Sequence, residues 1–267
     1  MLNVLVLGDI ISRVGRNSLK SKLSGLKKRL NVDICTANVE NSAGMFGISE
    51  KVIDEISKSG VDVMTSGNHV WDKRAGIELL DLREDILRPA NYPPGNPGHG
   101  YLITESRGVR IAVINLQGRT FMPTIDCPFR SADTILSEIP KDVRVRIVDF
   151  HAEATSEKVA MGYYLDGRVS VVAGTHTHVA TADERILSGG TAFITDVGMV
   201  GASDSIIGVK KEQVIKRFLY ALPVRFEVAY GNPRIEGLFV EIDDETGRAS
   251  KVERIREETG DFVADER

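Results

Sequence analysis

Six short apolar runs, rich in Val and Ile, set the limits on what this chain can fold into. They fall at residues 2–7, 32–37, 61–65, 109–116, 143–150 and 169–173. Apolar runs of about four to eight residues read as buried strands. Between the early runs, Leu19, Leu23, Leu26 and Leu30 share one face of a helix near residues 16–30. Residues 50–59 form a second helix, with Ser49 as its N-cap. Strand–helix–strand alternation of this kind predicts an α/β fold with parallel strand pairs.

The second half is richer in strands, at residues 184–187, 192–196, 224–229 and 238–242. The turn at 244–247, Asp-Glu-Thr-Gly, joins 237–242 to 249–255 as an antiparallel hairpin. Residues 211–221 read as a late helix, stopped by Pro223. Residues 89–100 and 118–131 read as long irregular loops, and the charged tail after Arg256 as partly loose.

Composition narrows the class. A chain of 267 residues with 42% apolar and 27% charged residues is an ordinary globular protein, and we expect one domain over 1–267. With 34 Lys+Arg against 38 Asp+Glu there is no sequence-wide basic footprint, so RNA is not indicated as a partner. Two cysteines, Cys35 and Cys127, cannot build a disulfide framework, which fits a reducing cytosol. No run approaches the ~18 apolar residues that span a bilayer, and the N-terminus lacks the basic start of a signal peptide. The expectation is a cytoplasmic protein with no membrane partner.

The chemistry lies where the runs end. The first leads into Asp9, the second into Glu40 and Asn41, the third into Asn68 and His69, the fifth into His151 and the sixth into His176 and His178. Ligands of open α/β sheets bind beyond the carboxyl ends of strands. Taken singly, each residue has a plainer reading as a cap, a turn or a hydrogen-bonded loop residue. Jointly they deliver carboxylates, carboxamides and imidazoles to one edge. His176 and His178 are expected to point the same way, as residues i and i+2 of an extended segment do. Oxygen and nitrogen donors without thiolate suit Mn, Fe or Zn. Seven candidate ligands (Asp9, Glu40, Asn41, Asn68, His151, His176 and His178) are too many for one tetrahedral zinc and suit two ions sharing a carboxylate.

These residues carry a family resemblance. Gly8-Asp9, Gly67-Asn68-His69, His151 and the segment from Gly174 to His178 occur in the order of the calcineurin-like metallophosphoesterases. Two departures from the broad superfamily, Ile11 in place of a His and Glu40-Asn41 in place of a bridging Asp, are the pattern of one branch. Segments 38–44, 67–72, 88–93 and 195–201 resemble the YmdB-type metallophosphoesterases, the 2′,3′-cyclic-nucleotide phosphodiesterase-like group.

The resemblance implies a four-layer αββα sandwich, two metal ions (Fe or Mn first, Zn as the alternative) and a homo-oligomer. It implies Asp9, Glu40, Asn41 and His178 around one ion. Glu40, Asn68, His151 and His176 would hold the other, with Glu40 bridging. His69 becomes a non-ligand general acid. The implied reaction is hydrolysis of a 2′,3′-cyclic nucleotide or related small phosphodiester, by hydroxide generated at the metals. A phosphomonoesterase or nucleotidase at the same site, or a regulatory protein using the metal site, are the alternatives. Ser42 and Arg130 are weaker phosphate contacts. Trp71 and Tyr92 could stack a base but read more readily as packing residues. Met199 reads as loop filler, His99 as a surface residue and Cys35 as core.

Overall fold

The computed structural model describes residues 1–260. Twelve strands are present: β1 (Leu2–Ile10), β2 (Ile34–Asn38), β3 (Val63–Thr65), β4 (Tyr101–Ser106), β5 (Val109–Gln117), β6 (Val145–His151), β7 (Val171–Thr175), β8 (Arg185–Ile186), β9 (Ala192–Ile194), β10 (Met199–Ala202), β11 (Pro233–Ile242) and β12 (Ala249–Glu258). The helices are α1 (Ser12–Arg29), α2 (Glu50–Ser59), α3 (Arg74–Leu82), α4 (Pro128–Glu138), α5 (Thr155–Leu165) and α6 (Lys211–Tyr220). One six-stranded sheet has the order β12-β11-β10-β1-β2-β3 and the other β4-β5-β6-β7-β9-β8. In the first, β1 runs parallel to β2 and β10. In the second, β5, β6, β7 and β9 run parallel.

Alternation along the strands builds the layers. Val4 and Val6 of β1 face Ile111, Val113, Val145 and Ile147 of the other sheet, in a core between the two sheets. Their neighbours Leu5 and Leu7 turn outward onto Leu19, Leu23 and Leu26 of α1 and Ile53 and Ile56 of α2. On the far side, Ala112, Ile114 and Val148 pack against Ala132 and Ile135 of α4 and Met161 and Leu165 of α5. Both faces of both sheets are therefore buried, which is why the strands read as continuous apolar runs. The result is the expected αββα sandwich.

Several expectations need correction. Residues 224–229 form no strand. With no neighbouring strand beside it, the segment lies along residues 208–210, through Lys210 N–H to Glu227 O and Ala229 N–H to Gly208 O. Ser49 stands at the start of α2 in extended conformation, but its side chain makes no capping hydrogen bond. Pro128 starts α4 within the stretch expected to be irregular to 131. Met199 is not loop filler: it is buried on β10, in register with Asp9. The tail stays ordered beyond Arg256, since β12 reaches Glu258 and buried Thr259 donates to Pro233 O. The remainder of that tail, 261–267, lies outside the described residues. Cys35 is buried and His99 exposed, as expected. Among the described residues, no helix is long and apolar enough to cross a membrane.

Candidate metal centre

The ends of β1, β2, β3, β6 and β7 meet along one edge, where the two sheets contribute different donor types. Carboxylates and carboxamides come from the first sheet: Asp9 on β1, Glu40 and Asn41 after β2, Asn68 after β3. Imidazoles come from the second: His151 ends β6, and His176 and His178 follow β7. A register shift between Leu7 and Asp9 in the β1–β2 pairing re-aims the strand where Asp9 leaves it. Gly67 is needed by close approach, because a Cβ there would sit 2.2 Å from His151 Nε2.

The distances are short. His151 Nε2 lies 3.0 Å from Glu40 Oε1, without the alignment of a hydrogen bond, and 3.1 Å from His176 Nδ1. His178 Nε2 lies 3.6 Å from Asp9 Oδ1, and the His176 amide donates to Asp9 Oδ2 at 3.1 Å. Donor atoms of Glu40, His151 and His176 all fall within 4.8 Å of one another. Asp9, Glu40 and His151 are wholly or almost wholly buried.

Four buried oxygens here have no hydrogen-bond partner: Asp9 Oδ1, Glu40 Oε1, Asn41 Oδ1 and Asn68 Oδ1. Leaving such atoms dry and unpaired is costly, most of all for carboxylates. A cation is the partner that satisfies acceptors gathered in this way, so the donor set fits metal ions.

The surrounding hydrogen bonds orient the imidazoles. Thr175 Oγ1 donates to Asp149 Oδ1 at 2.6 Å and lies 3.0 Å from His151 Nδ1. Asn38 Nδ2 lies 3.2 Å from the same Nδ1, and together these groups hold the ring with its Nε2 toward Glu40 and His176. His178 Nδ1 donates to Ile207 O at 3.0 Å, leaving its Nε2 toward Asp9. Asn38 Oδ1 accepts the Glu40 amide at 3.1 Å, and Glu40 Oε2 accepts the His69 amide at 2.8 Å.

Burial alone would raise the Asp9 pKa, but His178, His151 and the His176 amide hold it well below the usual carboxylate range. Glu40 is likewise lowered, with His151 outweighing burial. Burial would lower His178, yet Asp9 and the Ile207 carbonyl push it up to about 9. His151 is raised against its burial, chiefly by Glu40. His176 is pushed down to about 3 by burial and by neighbouring His151. Burial raises Asp149 to about 6. Anionic carboxylates beside a neutral His176 are the forms that bind metal.

His69 stands apart from the donors. It lies in a single 3-10 turn, Asn68–Asp72, in which residues i and i+3 eclipse. Its Nδ1 is therefore 2.8 Å from Asp72 Oδ2. The expected extended geometry for His176 and His178 is wrong: β7 stops at Thr175, and both histidines have left-handed backbone, at φ 94° and 62°. Such conformations are strained and persist where the surroundings enforce them. Here Thr177, between them, gives both its amide and its hydroxyl to Asp196, which is paired with buried Lys158.

Other sequence expectations resolve as follows. Ser42 is buried beside Asn41 with its hydroxyl unpartnered. Arg130 is exposed on α4. Trp71 packs on the first core, its ring centre 5.0 Å from that of Tyr92 with the planes tilted by 54°. Sequence reasoning missed Asn38, Asp72, Asp149, Thr175, Lys158 and Asp196. Asn38, Asp72 and Asp196 lie within the family-like segments 38–44, 67–72 and 195–201 without a role assigned, and Asp149 stands two residues before His151 on one strand and hence on the same face.

The profile of the YmdB-like protein family matches residues 5–255. A 2′,3′-cyclic-nucleotide 2′-phosphodiesterase of Bacillus subtilis (strain 168) is 47% identical over 254 residues, covering 95% of this chain and 96% of that protein. A crystal structure of a novel phosphatase from Mycoplasma pneumoniae superposes with a TM-score of 0.91 at 36% identity, covering 97% of this chain and 94% of the other. A putative 5′-nucleotidase from Staphylococcus aureus shares the fold, with a TM-score of 0.64 at 15% identity, covering 99% of this chain and 56% of the other. Sequence match and superposition over nearly the full length agree, and the chain belongs to the YmdB-like family of metallophosphoesterase-fold proteins.

Proposed function

We propose that this chain hydrolyses 2′,3′-cyclic nucleotides or related small phosphodiesters at a centre of two metal ions. The reading is supported by relatives named as a 2′,3′-cyclic-nucleotide 2′-phosphodiesterase and a phosphatase. The finer reading is supported above all by four unpartnered buried oxygens, of which Glu40 Oε1 lies 3.0 Å from His151 Nε2 and Asp9 Oδ1 3.6 Å from His178 Nε2. Asp9, Asn41 and His178 would hold one ion, Asn68, His151 and His176 the other, with Glu40 between them. We take residues 1–267 as one catalytic domain, because both sheets supply ligands. When bound, the two ions supply an activated water and positive charge facing the phosphate.

The chain's own groups would do the rest. Asn68 is a neutral donor, so it adds no negative charge facing a phosphate anion. His69 would protonate the leaving ribose oxygen. Asp72 Oδ2, 2.8 Å from Nδ1, would orient the ring, as a carboxylate does for a catalytic imidazole.

Metal analysis and a substrate panel on one preparation test the reading. The expected result is two metals per chain under metal-replete conditions, with faster turnover of 2′,3′-cyclic AMP than of 5′-AMP. At most one metal per chain would overturn the dinuclear centre, and a preference for 5′-AMP would make the enzyme a phosphomonoesterase.

A further inference from the structure

We infer that the pocket in front of the metal ligands holds a subsite for the flat aromatic part of the substrate, walled by Phe46 and Phe226 and unable to read the base's edge. The inference rests on the phosphodiesterase reading above. The pocket encloses about 420 Å³, within the range of roughly 300–1,000 Å³ usual for small-molecule clefts. Its lining joins Glu40, Asn41, His69, His176 and His178 to apolar Met45, Phe46, Ile207, Val209, Phe226 and Val228. A bound phosphate at the ligands would thus have an apolar wall within reach of its substituents.

Phe46 is 41% exposed, yet its ring is held 4.2 Å from the His69 imidazole, tilted by 32°. An exposed Phe docked on the candidate acid is a surface that a stacking base would cover. Phe226 lies on the irregular segment before β11, with the Arg217 guanidinium 5.3 Å from its ring centre. The backbone around it is pinned, through the hydrogen bonds of Lys210 and Ala229 described above, so the wall is preformed. Trp71 and Tyr92, the stacking candidates in the sequence, do not line this pocket.

Charge narrows the ligand. Among the described residues no Lys or Arg lines the pocket, so counter-charge for an anion would come chiefly from the metal centre. That suits a ligand with one phosphodiester charge and gives no partner to the further phosphates of a polynucleotide or nucleoside triphosphate. Edge readout is also missing. Thr177 spends its amide and hydroxyl on Asp196, and Glu153 lies 3.0 Å from His176 Nε2. Among the described residues this leaves only the second Glu153 oxygen for the base's edge, too little to distinguish a purine from a pyrimidine, and stacking is tolerant of base identity.

The test uses the full chain, metal-loaded, with 2′,3′-cyclic AMP, 2′,3′-cyclic CMP and the base-free probe glycerol 1,2-cyclic phosphate. Calorimetric binding of the two nucleotides is measured on the same samples. The readout is the ratio of kcat/KM for a cyclic nucleotide to that for the probe. The unaltered protein should favour the nucleotides by roughly tenfold or more, with the two nucleotides within about tenfold of each other. Phe46→Ala and Phe226→Ala should bring the ratio toward one, chiefly by raising nucleotide KM roughly five- to hundredfold, and should weaken binding in parallel. Variants that slow nucleotide and probe by one common factor, or leave nucleotide binding unchanged, overturn the subsite and leave the phosphodiesterase reading intact. A preference above about a hundredfold between the two nucleotides overturns the edge-blind wall. Absence of turnover on all three substrates overturns the phosphodiesterase reading, and the binding data then decide the subsite alone.

Discussion

Lys158 Nζ donates to Asp196 Oδ2 at 2.7 Å, and both side chains are buried. The same Lys donates to Thr175 O at 2.6 Å, and the same carboxylate oxygen receives the Thr177 amide and hydroxyl. One ion pair therefore grips the turn that holds His176 and His178 in left-handed conformation. Lys158→Met should leave Asp196 buried without its counter-charge. Loss of one partner of a buried pair costs about 3–5 kcal/mol. The expected outcome is that loss in a denaturant titration, with weaker metal retention on dialysis. A Lys158→Met protein as stable as the unaltered one would remove the pair from this role.

His69→Ala should retain its metals and lose turnover by roughly 10²–10⁴-fold, the usual contribution of a positioned acid. Asp72→Asn, which keeps the shape but changes the partner of Nδ1, should lose activity by a smaller factor. Steady-state kinetics with metal analysis on the same samples separates the two effects. Full kcat in His69→Ala on a cyclic nucleotide would end the assignment.

Metal uptake should depend on pH with a definite sign. In chelator-stripped protein, His178 is pushed up to about 9, so near pH 7 it carries a proton that an incoming ion must displace. Affinity should rise with pH until His178 is deprotonated, and each ion bound through it should release a proton. Calorimetric titrations at pH 6, 7 and 8 in buffers of different ionisation enthalpy measure both. A pH-independent affinity would exclude His178 as a ligand.

Asp149 gives a stability prediction of its own. Its folded pKa, raised to about 6 from the ordinary 3.8, means that the folded state binds more protons than the unfolded state between those values. Stability from this group is thus present at acid pH and lost as pH rises through 6. In stripped protein, the stability of the unaltered chain relative to Asp149→Asn should fall between pH 4 and 6. Denaturant unfolding at several pH values checks it; a difference that rises with pH would contradict the assignment.

Gly67→Ala should fail to load metal in full, since its methyl would occupy the place of the His151 ring. Metal content after reconstitution is the readout, and normal loading would show that the ring can move aside.

What could be read from the sequence was local. The buried strands and the donors at their ends follow from short-range pattern, because each run is apolar for its own reason and each donor ends its own strand. Long-range matters were hidden. Lys158 sits in α5 among Thr, Ser and Glu and looks solvated; only the distant Asp196 makes its burial tolerable. The left-handed turn at 176–178 could not be inferred from residue types that favour extended backbone. Residues 224–229 carry strand-like composition, but their pairing with 208–210 amounts to a single bridge, Val209 to Val228, and does not extend into a ladder. Phe46, in a loop between Gly44 and Gly47, belongs to no periodic pattern.

The split origin of the donors, acidic and amide groups from one sheet and imidazoles from the other, makes the centre a register of assembly. Neither sheet can complete it alone, and a slip of one against the other by a single residue would separate the two halves of the ligand set. Metal content is for that reason a gauge of native folding as well as of catalytic competence. A chain that has collapsed without bringing its two sheets into their proper alignment would be recognisable by what it fails to retain.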